Sequence, residues 1–175
     1  MPAGGQIAVV VLADTHLRDV GSGGRPGRWL PSRVIGALAK ADVILHAGDV
    51  VDPGVLDRLR DFAPVHAVLG NNDAALEATL VASAVVDLGG VRIGMVHDSG
   101  RAGGRPNRLR RMFPDCQLVV FGHSHVPVDS PGVDGQMLFN PGSPTQRRRQ
   151  PVATFGELII GGGRILERRV VPAQR

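Results

Sequence analysis

The sequence predicts an α/β fold built on a mixed β-sheet, or on two sheets packed together. Three observations support this. Short apolar runs rich in β-branched residues alternate with amphipathic helical segments through the first half of the chain, the pattern of parallel βαβ units. Two later segments are hairpins with glycine turns, which bring antiparallel pairing. No internal repeat and no linker divides the 175 residues, so residues 1–175 are expected to form one domain with a real core.

Ile7 to Ala13 is a continuous apolar run, read as a buried strand. Asp19 to Arg28 is rich in Gly and Arg and reads as a surface loop. Its Gly21–Gly27 part follows Asp14 and His16 closely, so it is either a cover for a site there or a plain insertion. Ser32 to Lys40 carries Val34, Ile35, Leu38 and Ala39 at helical spacing, with Pro31 and Ser32 as start signals. Val43 to Leu45 is a second buried strand. Asp52-Pro53 supplies an N-cap and a first-turn proline for a helix whose apolar face is Val55, Leu56, Leu59 and Phe62. Val65 to Leu69 is a third strand, and a short helix is expected to run on to Leu80.

Ala84 to Leu88 and Val91 to Val96 form the first hairpin around Gly89-Gly90. Pro106 to Met112 is a basic amphipathic helix. Leu118 to Phe121 and Met137 to Asn140 are further strands. Thr154 to Ile160 and Arg164 to Val171 form the second hairpin around Gly161 to Gly163.

Composition narrows the function classes. Hydrophobic residues are 43% and charged residues 21%, which fits a folded globular chain and not a disordered one. No apolar run is long enough to span a bilayer, and Met1 to Gly5 lacks the architecture of a signal peptide. A cytoplasmic protein without a membrane partner is the expectation. With one cysteine, Cys116, there is neither an internal disulfide nor a thiolate metal site; a buried inert thiol is expected. The net charge of +4 comes almost wholly from arginine. Attraction of a small anionic substrate explains it as well as nucleic acid does, and nucleic acid is not favoured. The apolar hairpin and the C-terminal strands could support a homodimer or larger homo-oligomer.

Polar clusters follow five predicted strands: Asp14-Thr15-His16, Gly48-Asp49, Gly70-Asn71-Asn72-Asp73, His97-Asp98 and Gly122-His123-Ser124-His125. Each alone has a bland reading as a cap, a turn or a surface histidine. Ligands of α/β sheets bind beyond the carboxyl ends of strands, so five such clusters suggest one shared site. Imidazoles two apart on extended chain also project the same way, which groups His123 with His125. The donors are nitrogen and oxygen only, which suits Mn²⁺, Fe²⁺, Ni²⁺ or Zn²⁺. They outnumber the needs of one tetrahedral ion, and two ions sharing a carboxylate would use them all.

The order Asp-x-His, Gly-Asp, Gly-Asn-x-Asp, a lone His and Gly-His-x-His resembles the calcineurin-like metallophosphoesterase superfamily. The size and the late Asn140-Pro141-Gly142-Ser143 resemble its small prokaryotic YfcE-type phosphodiesterase branch. The resemblance covers about Ile7 to Val171. It implies two mixed β-sheets packed face to face with flanking helices, a four-layer αββα sandwich. It also implies two divalent metal ions, Mn²⁺ foremost. Asp14, His16 and His125 would hold one ion, Asn71, His97 and His123 the other, and Asp49 would bridge them. Phosphodiesters of small substrates would be hydrolysed by a metal-bridging hydroxide.

The chain departs from the family pattern in three places. Larger members carry a histidine after Gly-Asn that is thought to protonate the leaving group; here Asn72 stands there. Asn72 hydrogen-bonds a phosphate oxygen but is no general acid near neutral pH, and Asp73 orients Asn72 or a water. Asp98 follows the lone His97 where glycine is common, and Ala13 replaces a common serine. Phosphomonoesterase and nuclease activity within the same superfamily are the rival readings. So is a non-catalytic scaffold, the role of the small retromer subunit that shares this fold.

Other residues receive structural readings. His46 is expected to be a satisfied near-core histidine, with support of the neighbouring site the alternative, and His66 a structural one. Trp29 packs. Arg105, Arg108, Arg110 and Arg111 read as a solvated helix face, with one face aimed at a bound phosphate the alternative. Arg147-Arg148-Arg149 reads as a solvated charge run, with substrate contact the alternative.

Overall fold

The computed structural model describes residues 5–18 and 29–174. The whole of Asp19 to Arg28, and the Gly21–Gly27 loop within it, lies outside the described residues. Ten strands form two five-stranded sheets, with three α-helices, among the described residues.

The first sheet contains β1 (Ile7–Leu12), β2 (Val43–His46), β3 (Val65–Ala67), β9 (Thr154–Gly161) and β10 (Arg164–Pro172) in the order β10-β9-β1-β2-β3. Strands β1, β2 and β3 run parallel, while β9 and β10 add antiparallel. The second sheet contains β4 (Ser83–Leu88), β5 (Val91–Val96), β6 (Leu118–Val120), β7 (Val128–Pro131) and β8 (Met137–Asn140) in the order β4-β5-β6-β8-β7. Its centre is parallel and both edges are antiparallel.

Alternation along the strands explains the layers. Val9, Val11 and Ala13 of β1 and its end pack with Leu118 and Val120 of β6, and with Val91, Ile93, Phe139, Leu158 and Ile160, in the core between the sheets. The intervening Val10 and Leu12 face outward with Val34 and Leu38 of α1 (Ser32–Leu38) and Val55, Leu56 and Leu59 of α2 (Pro53–Arg60). On the other side, Val119 and Phe121 meet Leu109 and Phe113, in and just after α3 (Arg105–Met112). Strands covered on both faces need unbroken apolar sequence, which is what β1, β2 and β6 have. The result is the expected α-β-β-α stack.

The local expectations hold with small shifts. Asp52 caps α2, its carboxylate accepting from the Gly54 amide at 2.8 Å, with Pro53 as the first helical residue. The helix expected to run to Leu80 is only a 3₁₀ turn over Ala74–Leu76. Strand β3 stops at Ala67, and Val68 instead makes an isolated bridge to Val81. Strand β7 has no counterpart among the sequence expectations. Cys116 is buried, and burial pushes its thiol pKa up. Trp29 packs against the α1–α2 core with the Arg58 guanidinium 3.8 Å from its ring centre. His66 is exposed on β3. Among the described residues, no helix is long and apolar enough to cross a membrane.

Candidate metal centre

The five polar clusters follow β1, β2, β3, β5 and β6, and their side chains meet at one edge of the sandwich. Asp14, His16, Asp49 and Asn71 come from the first sheet, and His97, His123 and His125 from the second. Five of these seven have left-handed backbone: Asp14 (φ 53°), His16 (φ 45°), Asp49 (φ 57°), His123 (φ 70°) and His125 (φ 58°). Non-glycine residues seldom adopt this conformation, and such outliers concentrate at functional sites.

The contacts fall into two groups joined by one carboxylate. In the first, His16 Nε2 lies 3.2 Å from His125 Nε2, and Asp14 Oδ1 lies 3.5 Å from His125 Nε2 and 3.9 Å from His16 Nε2. In the second, Asn71 Oδ1 lies 3.0 Å from His97 Nε2 and 2.9 Å from His123 Nδ1. Asp49 Oδ2 stands between them, 3.4 Å from both His16 Nε2 and His97 Nε2. Donor atoms of Asp14, His16 and His125, and of Asp14, Asp49 and His97, are each mutually close enough to hold a cation.

These residues fit divalent ions. Two ligands about 2.1 Å from one ion stand roughly 3–3.4 Å apart at ordinary coordination angles, the separation of His16 and His125. Two imidazole nitrogens facing each other with at most one proton between them are well served by a cation. His97 Nδ1 donates to the Ala47 carbonyl at 2.7 Å and His125 Nδ1 to the Gln146 carbonyl at 2.8 Å. A carbonyl only accepts, so each of these rings when neutral presents an unprotonated Nε2 to the centre, as metal-binding histidines do, while without metal the Asp49 carboxylate favours a further proton on His97 Nε2. Asp14 Oδ2 is buried without a hydrogen-bond partner.

The electrostatics agree. Burial raises the Asp14 carboxyl to about 7, and the Asp49 charge adds to the effect. Burial also acts to raise Asp49, but hydrogen bonds from His97 and from Asn72 outweigh it and hold Asp49 well below the usual carboxylate range. Burial lowers His16, and takes His125 down to about 4. Burial opposes protonation of His97 too, yet its bonds to Asp49 and Ala47 raise its pKa. Buried carboxylates among mostly neutral imidazoles form a site that favours positive charge.

Several sequence expectations need correction. His123 and His125 do not project together from extended chain. Strand β6 ends at Val120, and both histidines sit beyond it with left-handed backbone. His125 therefore joins Asp14 and His16, while His123 joins Asn71. Asp73 does not orient the Asn72 side chain. It is fully buried, and its carboxylate accepts from the amides of Asp49 (2.9 Å), Gly70 (2.7 Å) and Val51 (2.7 Å). It locks the turn after β3 to the loop after β2. The Asn72 amide nitrogen and Nδ2 both donate to the Asp49 carboxylate, at 2.9 and 2.7 Å. Asp98 turns away to cap the Gly100 amide at 2.7 Å. The α3 arginines are not simply a solvated face, since Arg108 donates to the Ser99 and Arg101 carbonyls.

His46 is completely buried. Its Nε2 lies 3.0 Å from Thr15 Oγ1, and Thr15 in turn donates to the Asp49 carbonyl at 3.4 Å. Its Nδ1 has no partner, so it is not fully satisfied; burial drives its pKa down to about 3. Sequence reasoning missed Thr15 and Thr145 as supports. It noted the Asn140–Ser143 segment without its role. Ser143 Oγ donates to the Asp14 carbonyl and Thr145 Oγ1 to the Thr15 carbonyl, both at 2.7 Å, and Asn140 Nδ2 donates to the Gly122 carbonyl at 3.0 Å.

A two-sheet sandwich with this strand-end cluster defines a metallophosphoesterase fold. Residues 7–160 match the family model of the calcineurin-like phosphoesterase superfamily domain, and the chain belongs to that superfamily of metal-dependent phosphoester hydrolases. It is 34% identical over 174 residues to a probable metallophosphoesterase of Methanocaldococcus jannaschii, covering 98% of this chain and 84% of that one. Among solved structures, Vacuolar Protein Sorting 29 from Cryptosporidium parvum shares the fold, with TM-score 0.76, 20% identity and coverage of 98% and 100%. Vps29 from Entamoeba histolytica, solved in complex with Zn²⁺, aligns with TM-score 0.67 and 22% identity over 95% of this chain and 99% of that one.

Proposed function

We propose that the chain is a dinuclear metal-dependent phosphodiesterase acting on small phosphoesters. The observation that carries this reading is the place of Asp49, whose Oδ2 is equally far from His16 and His97. A carboxylate so placed is suited to bridge two ions. Asp14, His16 and His125 would complete one ion's ligands, and Asn71, His97 and His123 the other's. Nitrogen and oxygen donors without sulfur suit Mn²⁺, Fe²⁺, Ni²⁺ or Zn²⁺ alike, and the family resemblance puts Mn²⁺ first among them.

A pair of divalent ions supplies Lewis acidity to phosphoryl oxygens and makes water more acidic. The chain's own residues do the rest. His97 and His125 are aimed by carbonyls, and Asp73 fixes the Asp49 backbone. Asn72 holds the Asp49 carboxylate and offers a carboxamide to a phosphate oxygen. It cannot protonate a leaving group, so esters with good leaving groups should react best. That expectation, with the resemblance to the small phosphodiesterase branch, supports diesters over monoesters.

The test compares bis(4-nitrophenyl) phosphate with 4-nitrophenyl phosphate in Mn²⁺, alongside metal analysis. Faster monoester turnover would overturn the diesterase preference, and cleavage of DNA or RNA would favour a nuclease. Asp49→Asn and His123→Ala are each expected to lower kcat at least about a hundredfold while leaving the circular dichroism spectrum unchanged. Wild-type protein that takes up no metal and cleaves no phosphoester would make the chain a scaffold instead.

A further inference from the structure

Three arginines in a row, Arg147-Arg148-Arg149, lie on the loop that closes one side of the site. This loop is pinned to the end of β1. Ser143 Oγ donates to the Asp14 carbonyl and accepts from the Gln146 amide at 2.9 Å, and Thr145 Oγ1 donates to the Thr15 carbonyl. The Gln146 carbonyl then receives His125 Nδ1 at 2.8 Å. Two residues later the chain turns, the Gln150 amide donating to the Arg147 carbonyl at 2.8 Å.

The three arginines are not equivalent. Arg147 is spent on its own turn, donating to the Gln150 carbonyl at 2.8 Å. Arg148 has left-handed backbone, φ 49°, at the first central position of the turn, where glycine is the usual residue. Among the described residues its guanidinium makes no hydrogen bond or ion pair, unlike Arg60, Arg92, Arg110, Arg168 and Arg169, which pair with carboxylates. Its charge is nevertheless felt at Asp14, His16 and His125, lowering the pKa of all three. An unpaired guanidinium is thus held beside one half of the ligand set, while Asn72 attends Asp49.

The geometry points to Arg148 as the residue that grips the phosphoryl group of the substrate, its planar fork donating to the nonbridging oxygens of a bound phosphoester. The inference rests on the dinuclear reading above, since the phosphoryl group must sit against the Asp14–His16–His125 side. Bidentate recognition of phosphate is what arginine does better than lysine. An exposed arginine in a turn position built for glycine has little structural reason to be there.

The test uses the metal-loaded full chain and inorganic phosphate as the probe. Metal content is measured first, for wild type, Arg148→Ala, Arg148→Lys, Arg147→Ala and Arg149→Ala. Phosphate affinity by calorimetry, and KM and kcat for bis(4-nitrophenyl) phosphate, follow. Arg148→Ala should keep its metal, lose phosphate affinity roughly 10–100-fold and raise KM similarly, with kcat changed by less than about threefold. Arg148→Lys should recover part of the loss, and the two neighbouring variants should behave as wild type. Unchanged phosphate affinity in a metal-replete Arg148→Ala protein would overturn the inference and leave the dinuclear reading standing. Equal losses in all three alanine variants would also overturn it, as they would show a diffuse positive field. Loss of metal from Arg148→Ala would reassign the residue to positioning His125. A wild type that binds no metal would bring down the dinuclear reading, and this inference with it.

Discussion

Asp73 offers the sharpest test of how the centre is held. Its carboxylate accepts from three backbone amides, and two of them belong to Asp49 and Val51, which have left-handed backbone at φ 57° and 78°. A β-branched residue in that region is a genuine outlier, so these bonds offset real strain. Asp73→Ala removes the acceptor and strands the three donors around a fully buried position. A hydrogen bond to a charged group is worth about 1.5–3 kcal/mol, and losses sharing one acceptor fall short of their sum. The expected destabilisation is about 4 kcal/mol. For a chain of this size that lowers the melting temperature by about 8–16 °C. Asp73→Asn should lose roughly half as much, because its one carbonyl oxygen can still take the Asp49 and Gly70 amides that share Oδ2. The measurement is thermal unfolding of metal-stripped protein, so that lost metal binding does not contribute. A fall of less than about 3 °C for Asp73→Ala would show that the three amides find other partners and that Asp73 is not the lock.

The Asp14 carboxyl, raised to about 7 by burial, gives a prediction with a definite sign. Its folded pKa exceeds its unfolded one, so its stabilising contribution is complete below about pH 4 and is lost as the pH rises through about 7. Metal-free Asp14→Asn should therefore match the metal-free wild type near pH 4 and exceed it above pH 7 by on the order of 4 kcal/mol, read from urea unfolding at the two pH values. An Asp14→Asn protein no more stable than wild type above pH 7 would refute this. Gly70→Ala is expected to cost most of the metal affinity, because a Cβ there collides with the Asp49 backbone and carboxylate. Metal titration by calorimetry checks it, and unaltered affinity would show that Asp49 can move without consequence.

The buried strands are the plainest elements in the sequence, because β1, β2 and β6 are nearly unbroken apolar runs bounded by polar or turn residues. Strand β7, with sequence Val-Asp-Ser-Pro, carries no such signal. It exists because β8 offers an edge to pair with, and its half-exposed pattern and proline suit an edge position. After Asp73 helical composition continues to Leu80, yet only a 3₁₀ turn forms because the chain is drawn back to bridge Val68 with Val81. The polar clusters could be found from their places at strand ends. Their division into two groups came with the family resemblance and not from periodicity, because left-handed backbone at His123 and His125 reverses what strand alternation implies. Asp73 was misjudged for a related reason, since its sequence neighbour Asn72 faces the site while its own partners are amides from another loop. Thr145 leaves no motif, since a hydroxyl that supports a carbonyl 130 residues away looks like any other, and Ser143 shows only as part of a family pattern that does not state its role.

His16 and His125 stand 109 residues apart in the chain and come from different sheets. An ion held by both would tie off most of the polypeptide as a single ring, the same topological restraint that a disulfide imposes. With Cys116 its only cysteine, this chain has no covalent route to such a closure. A coordinated ring differs in being conditional: it exists when metal is plentiful and opens when a chelator competes. Pulled from its two ends, the loaded molecule should extend by about 109 residues less than the stripped one until the ion lets go, so that metal supply sets its mechanical as well as its chemical state.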